Sequence, residues 1–344
     1  MNILIIQTAF LGDLVLSTGF FKRIREIHPE AKIYLLVNKG TEGILENFPH
    51  VDQIISFDKS IIKKSLLGFF RFIQSIRAIN FSICYSPHFS HRSSIIAFFS
   101  GAKKRIGYKQ AGFSFLLTET YDRPRLGMHE IQKLFRLLGE EEKIYKPELY
   151  YNSKSETFVQ AILHENKILP KNYIVIAPSS IWETKRMPKE KFKELAELIL
   201  KSLQLTLVFI GSNKDKTLVE EITKDLDGKV LSLAGKTNLS ELSVVIQNSR
   251  LVITNDSSPI HIASAFNIPT LAIFGATVLD FGYGPVSDKQ YVSEVNGLDC
   301  RPCGIHGGNF CPKKHFRCMK DQDIPRMFLE LKKLLGESNV RTNL

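Results

Sequence analysis

The sequence predicts an α/β protein made of two doubly wound, Rossmann-like parallel-sheet domains. Three observations carry that expectation. Short apolar runs alternate with amphipathic helical patterns along the whole chain, which is how parallel sheets are connected. The 344 residues exceed the size, about 250–300 residues, at which one core stops growing, and a hydrophobic content of 44% can fill two cores. Twice, at 3–17 and at 252–261, an apolar strand runs straight into a carboxylate-bearing turn that opens a helix.

In the first half, strands are expected near 2–7, 32–37, 53–57, 81–85 and 104–107. The first of these is apolar, is punctuated by Gly12-Asp13, and is followed by a helix from Leu14 to Ile27 with basic residues late. A dinucleotide-binding turn needs three closely spaced glycines, and only Gly12 is present. This half therefore offers a carboxylate, Asp13, at the carboxyl end of a strand, where ligands lie in open α/β sheets. Asp13 reads equally well as a helix cap.

In the second half, strands are expected near 173–178, 205–211, 229–233, 250–254 and 269–275, with helices at 189–202 and 239–248. Residues 140–172 are polar, hold Pro147 and Pro170, and should contain the domain linker. The expected division is 1–165, then 166–322 with a cysteine-containing segment at 300–318, then a terminal helix in 323–344 folding back on the first domain. The richest stretch is VITNDSSPIH at 252–261. Leu251 to Thr254 form a strand, and a helix starts near Pro259, a residue tolerated where N–H groups lack helical partners. Such a helix start suits a diphosphate, with Asp256 beside it and His261 one turn inside. Taken alone, His261 reads as a core histidine, and Lys185-Arg186 as a solvated pair.

The net charge of +11 and pI near 9.3 point to an acidic partner. One basic amphipathic segment, 59–77, sets Ile62, Leu66, Phe69, Phe70 and Ile73 on a stripe beside Lys63, Lys64, Arg71 and Arg77. It suits an anionic membrane surface, or a surface helix packed on its own sheet. No apolar run reaches the ~20 residues of a membrane span, and no signal-peptide pattern precedes the first strand, so a cytoplasmic protein is expected. Asp225-Leu226-Asp227 and Asp321-Gln322-Asp323 have the spacing of metal-binding carboxylates but follow no apolar strand, and read as turn or cap residues. Cys300, Cys303, Cys311 and Cys318, with His306 and His315 between them, read either as a small zinc site or as reduced thiols. Cys84 reads as core.

Four segments, in order, resemble the ADP-heptose:lipopolysaccharide heptosyltransferases of glycosyltransferase family 9. They are FLGDLVLSTGFFKRIREIHPEAKI (10–33), SSIIAFFSGAKKRIGY (93–108), APSSIWETKRMPKEKFKELA (177–196) and GKTNLSELSVVIQNSRLVITNDSSPIHIASAFNIPTLAIFGAT (235–277). The cysteine-bearing segment is similar to that of the heptosyltransferase II branch. The resemblance implies the GT-B architecture of two facing doubly wound domains, with acceptor on the first and donor on the second. It implies an inverting, metal-independent transfer of heptose from ADP-heptose to the inner core of a Kdo/heptose–lipid A precursor, at the inner face of the cytoplasmic membrane.

On that resemblance Asp13 is the base and Lys185 the cation that meets the diphosphate. Thr184, Asp256, Ser257, Ser258, His261, Gly235 and Thr237 join Lys185 in binding the donor. His91, Arg92, Lys103, Lys104 and Arg105 are expected to bind the acceptor's anionic groups. No cofactor is required, a structural zinc entering only if the cysteines hold one, and no nucleic acid is expected. The alternatives are heptosyltransferase I or another family sugar transferase, and, from a different class, a nucleotide-sugar 2-epimerase. Two departures stand out: Met187 where the family has Trp, with Trp182 nearby as a substitute surface, and Ser258 where Gly is usual.

Overall fold

The computed structural model describes residues 1–60, 65–142 and 145–336. It divides into two units, Met1–Tyr150 and Tyr151–Leu344. The first contains a six-stranded sheet in the order β3-β2-β1-β4-β5-β6. Its strands are β1 (Asn2–Gln7), β2 (Lys32–Asn38), β3 (Gln53–Phe57), β4 (Ile83–Ser86), β5 (Lys104–Tyr108) and β6 (Glu119–Tyr121), and every pairing is parallel. The second sheet runs β12-β11-β10-β7-β8-β9. It is built from β7 (Tyr173–Ala177), β8 (Thr206–Phe209), β9 (Val230–Ser232), β10 (Leu251–Asn255), β11 (Thr270–Ile273) and β12 (Gln290–Ser293), again all parallel. Counted within its own domain, each sheet has the 3-2-1-4-5-6 order of nucleotide-binding folds. These are two Rossmann-like domains of the GT-B class.

That order fixes where ligands belong. The chain winds outward in opposite directions from β1 and β4, and again from β7 and β10. Connections therefore leave a crevice at the carboxyl ends of those strand pairs. The central strands carry Ile, Leu and Val almost without interruption because both faces are covered. The edge strands β6 and β12 were not expected from the sequence. Each is short and half-exposed, so neither shows an apolar run.

Helices follow the expected periods, with instructive exceptions. The helix expected over 14–27 is two helices, α1 (Leu11–Leu16) and α2 (Thr18–Ile27). Ser17 breaks it: its hydroxyl donates to the Asp13 carbonyl (2.7 Å) and accepts from Gln7 Nε2 (2.7 Å). The amphipathic segment contains α3 (Leu66–Arg77). Phe69, Phe72, Ile73 and Ile76 turn inward to the domain core, whereas Leu67 and Phe70 are exposed. Phe70 thus lies off the expected stripe, and Ile62, Lys63 and Lys64 fall outside the described residues. The remaining helices of this domain are α4 (His91–Phe99) and α5 (Glu130–Arg136).

The second domain holds α6 (Ser153–Glu165), α7 (Lys189–Ser202), α8 (Lys216–Thr223), α9 (Leu239–Gln247), α10 (Pro259–Ala265), α11 (Arg317–Lys320) and α12 (Ile324–Leu334). Two boundaries differ from the expected ones. Helix α6 packs on α9, so the division falls at Tyr150 and not at 165. Helix α12 sends Ile324, Met327, Phe328 and Leu331 into the core of the second domain and packs on α7 and β12, where a return to the first domain was expected. Asp323 caps α12 by accepting from Arg326 N (3.0 Å), Asp321 pairs with Arg317 (2.8 Å), and Asp225 sits in a left-handed turn. These are the turn and cap roles expected of the two Asp-x-Asp pairs.

One glycine in α2 sets how closely the chain crosses it. A Cβ on Gly19 would meet Tyr145 O at 2.8 Å and Lys146 O at 3.0 Å, both backbone atoms. Gly19→Ala should therefore cost about 1–3 kcal/mol by overpacking, although alanine is the better helix former. Urea unfolding measures it; a variant as stable as the parent would refute this crossing.

Candidate functional site

In the second domain the crevice is built around one ion pair. The loop after β7 brings Lys185, in a single 3-10 turn (Glu183–Lys185), and the end of β10 brings Asp256. Lys185 Nζ lies 2.6 Å from Asp256 Oδ2, with the side chains 13% and 7% exposed. Thr277, just past β11, donates its hydroxyl to the same carboxylate oxygen at 2.6 Å. Two donors therefore hold one carboxylate oxygen, and Asp256 positions Lys185. A buried pair with few extra hydrogen bonds is a poor stabiliser relative to apolar packing, so its placement at the crevice points to chemistry.

Asn255 holds the frame. Its amide donates to Pro178 O (2.7 Å) and accepts from Met187 N (3.1 Å), joining the strand end to the β7 loop. Met187 is buried in the domain core, so the residue there fills the interior and does not supply a ligand surface. Ser258 has φ −52° and ψ −31°, an ordinary helical conformation, so the usual glycine is not required conformationally. Ser257 accepts or donates with Thr254 at 3.2 Å, and His261 is buried inside α10 beside Tyr283.

The cysteine-bearing segment is part of this frame. Gly308 N donates to Thr184 Oγ1 (2.8 Å) and Thr184 N to Gly308 O (3.0 Å). Gly307 has φ +79°, and a Cβ there would lie 2.8 Å from Thr184 Oγ1, so a side chain would be strained and would push on Thr184. Arg301, nearly buried, donates to the carbonyls of Gly275, Val295 (2.9 Å) and Thr277 (2.8 Å) and pairs with Glu294 (2.9 Å). Residues 275–277, 184–185 and 301–308 thus form one hydrogen-bonded unit. The sequence set Arg301 and Gly308 apart from the donor turn; only the fold brings them to it.

The thiols match zinc in kind but not in placement. Cys300 Sγ approaches His315 Nε2 at 3.8 Å, and Cys318 is buried at the start of α11. Among the described residues, no three His, Cys, Asp or Glu side chains converge where they would hold a metal ion. Burial, reinforced by the neighbouring thiols, raises Cys303, and burial pushes Cys318 up to about 11. Burial also works to raise Cys311, but the N–H groups of Phe316, Lys313, His315 and Lys314 outweigh it and hold this thiol below its ordinary value.

Gly235 and Thr237 lie apart from the ion pair. They follow β9, three strands from β10, about 14 Å along the sheet edge at the usual ~4.8 Å strand spacing. Gly235 is left-handed (φ +67°) and seated against Asn213 and Lys216. They share the carboxyl edge of the sheet with Asp256, at its far end.

In the first domain Asp13 sits after β1, at the switch point, half-buried. It accepts from Phe10 N at 3.2 Å, so the capping role is real and occupies Oδ2. Across the switch point, after β4, lies a group the sequence reading missed. His88 Nδ1 contacts Thr8 Oγ1 (2.9 Å) and Ser93 Oγ (3.0 Å), with Ser90 joined to Ser93 (3.0 Å). Burial, then the charges of Lys59, Arg92 and Arg123, hold His88 down at about 4, so it is neutral at pH 7. Lys59 is itself lowered by burial and by Arg92, with Asp13 acting the other way. Lys59, His88, Arg92 and Arg123 are thus electrostatic neighbours, and Asp13 interacts with Lys59. His-Phe-Ser-His-Arg at 88–92 was the available signal.

The expected acceptor group is not one site. His91 and Arg92 open α4 at the carboxyl edge, with His91 packed on Phe113 (5.1 Å) over Gly112. Lys103, Lys104 and Arg105 start β5 and so lie at the amino edge. Parallel pairing forces this: Ile83↔Lys104 is the start of β4, whereas His91 follows its end. Lys104 pairs with Glu119 (2.8 Å), and Arg105 ties down the carbonyls of Ala102 (2.6 Å) and Leu116 (2.8 Å).

A family model described as glycosyltransferase family 9 (heptosyltransferase) matches residues 69–308. The chain is 28% identical over 312 residues to a lipooligosaccharide heptosyltransferase 2 of Haemophilus influenzae, covering 85% of this chain and 88% of the relative. It is 27% identical over 297 residues to a lipopolysaccharide heptosyltransferase 1 of Campylobacter coli, covering 80% and 84%. A crystal structure of a family 9 glycosyl transferase from Veillonella parvula superposes with TM-score 0.86 at 20% identity, covering 98% of both chains.

The buried neutral His88 makes a pH prediction. Its folded pKa, about 4, is below the unfolded value near 6.5. Between those values the unfolded chain binds the extra proton, so stability is full above the window and falls as pH drops through it. The parent should lose about 1–3 kcal/mol more than His88→Gln between pH 7.5 and pH 4.5, by urea unfolding. Parallel losses in both proteins would show that His88 is not held neutral.

Proposed function

The chain belongs to glycosyltransferase family 9, and on that premise we propose that it transfers heptose from ADP-heptose to the inner core of a lipopolysaccharide precursor. The observation that carries the reading is the Lys185–Asp256 pair at the β7/β10 switch point. A cation fixed there serves a donor whose leaving group is a diphosphate, because negative charge grows on that group as the glycosidic bond breaks. Asp256, held by Thr277, keeps the ammonium in place, and Thr184 with Gly308 keeps the loop in place. The wide carboxyl edge from Asp256 to Gly235 and Thr237 accommodates an elongated nucleotide.

Asp13 is assigned the base. The acceptor hydroxyl gives its proton to the carboxylate as its oxygen bonds to the anomeric carbon, and the bond from that carbon to the diphosphate breaks on the opposite face. The product is inverted. Its cap bond engages Oδ2 and orients the carboxylate at the switch point. Lys59 and Arg92 suit the carboxylates and phosphates of an anionic core acceptor. The charge on ADP is met by lysine and backbone donors, so the proposed reaction needs no metal. Likeness of the cysteine segment to the heptosyltransferase II branch supports a first heptose as the acceptor sugar. A lipid-anchored acceptor places the work at the cytoplasmic face of a membrane.

Three outcomes follow. Asp13→Asn should leave ADP-heptose binding within a few-fold and lower turnover by about 10²–10⁴, the usual worth of a general base; turnover near that of the parent would remove Asp13 from the reaction. Transfer to defined core acceptors should persist in excess chelator, and loss restored by magnesium would contradict the metal-free reading. Gly307→Ala, which pushes on Thr184 Oγ1 from a left-handed position, should weaken ADP binding about tenfold, from strain of about 1–2 kcal/mol. Calorimetry with ADP checks it, and unchanged affinity would separate the cysteine segment from the donor site.

A further inference from the structure

The first domain carries a surface that the transfer chemistry does not use. Phe98 and Phe99 end helix α4 and are 42% and 43% exposed, and Phe113 and Phe115, in the loop after β5, are 45% and 79% exposed. They are linked. Phe98 and Phe99 meet edge to face with centroids 5.2 Å apart, and Phe113 and Phe115 do so at 5.9 Å. Arg105 joins the two pairs: its guanidinium lies over Phe98 at 5.6 Å, while its Nε bonds Leu116 O beside Phe115. Large aromatic side chains in the open are unfavourable unless something covers them.

The charge around the patch is net positive. Lys103 is exposed in the turn that follows Phe99. Arg77, also exposed, lies over Gly101, since a Cβ there would sit 3.7 Å from Arg77 Cγ. Glu119 nearby is matched by Lys104 at 2.8 Å. Exposed phenylalanines rimmed by lysine and arginine are the composition of a surface that lies in a lipid interface, with rings among acyl chains and cations at anionic headgroups. Phe115 stands at a loop tip with four-fifths of its surface free, which suits insertion into a fluid phase better than a fitted protein contact.

We infer that this aromatic and basic patch, centred on Phe98, Phe115 and Arg105, is the face by which the protein docks on an anionic bilayer. The patch takes its rim cation Arg77 from the end of the 59–77 segment, which by sequence suits either a membrane surface or a helix packed on its own sheet. It also gives Lys103 and Arg105, which lie at the wrong end of β5 for the acceptor, a role in holding the protein to the membrane that bears the acceptor. The inference deepens the proposed function, and rests on it only for the claim that docking serves catalysis.

The test is co-sedimentation of the full chain with vesicles of phosphatidylethanolamine and phosphatidylglycerol, against phosphatidylcholine alone. The parent should bind the anionic vesicles, more weakly at high salt, and phosphatidylcholine at least tenfold less. Phe115→Ser and Phe98→Ser should each lower partitioning about tenfold, the worth of one buried phenyl ring. Lys103→Glu should lower it on anionic vesicles only. Thermal melting of each variant checks folding, and Phe115→Ser is the safeguard because its ring has little to pack against. Equal partitioning of Phe115→Ser and the parent would overturn the proposal, as would a parent dimer that this variant dissolves with vesicle binding unchanged. Transfer to a deacylated, water-soluble core acceptor should be unchanged in Phe115→Ser, whereas transfer to acceptor in vesicles should fall at least fivefold. Vesicle binding without transfer to either acceptor would contradict the heptosyl reading and leave the docking face standing.

Discussion

The second domain depends on a buried contact between one ammonium and one carboxylate. Lys185 and Asp256 come from loops separated by about seventy residues of chain and meet because β7 and β10 are neighbours in the sheet. Taking both charges from water is costly, and their attraction offsets that cost only when geometry and extra donors are good. Thr277 supplies the extra donor, Asn255 fixes the strand end, and Thr184 with Gly308 fixes the lysine loop. Removal of either charge would leave the other buried and unpaired, at a cost of about 3–5 kcal/mol. Protein groups thus hold the ammonium in place, which is what its proposed role at a departing diphosphate requires.

Much of this was legible in the sequence because strong physical signals are local. Buried central strands read as apolar runs, and their carboxyl ends read as turns with Asp13 and Asp256. The edge strands at 119–121 and 290–293 were not legible, since a half-exposed strand of three or four residues carries no pattern against its surroundings. Ser17 hid a helix break, because its effect comes from hydrogen bonds to Asp13 and Gln7 that appear only once β1 and the helix are folded together.

The site divided the same way. Asp13, Lys185 and Asp256 were visible as charged residues at strand ends or within a motif. Thr277, Asn255 and Gly308 were not singled out, because each acts through a backbone group or through another side chain. His88 was passed over for His91, three residues on: His88 is buried among hydroxyls after β4, and His91 packs on an aromatic loop. Lys103, Lys104 and Arg105 were grouped with His91 by composition. Composition does not tell which end of a parallel strand a residue occupies, and pairing with β4 does.

The claim that Asp256 acts by holding Lys185 is open to a double-mutant cycle on ADP affinity, with Lys185→Ala, Asp256→Asn and the pair measured by calorimetry. If the carboxylate works through the ammonium, its loss should matter little once the lysine is gone, giving a coupling energy of at least about 1 kcal/mol, as expected for groups in direct contact. Losses that simply add would mean that Asp256 and Lys185 meet the ligand independently, and would contradict this account.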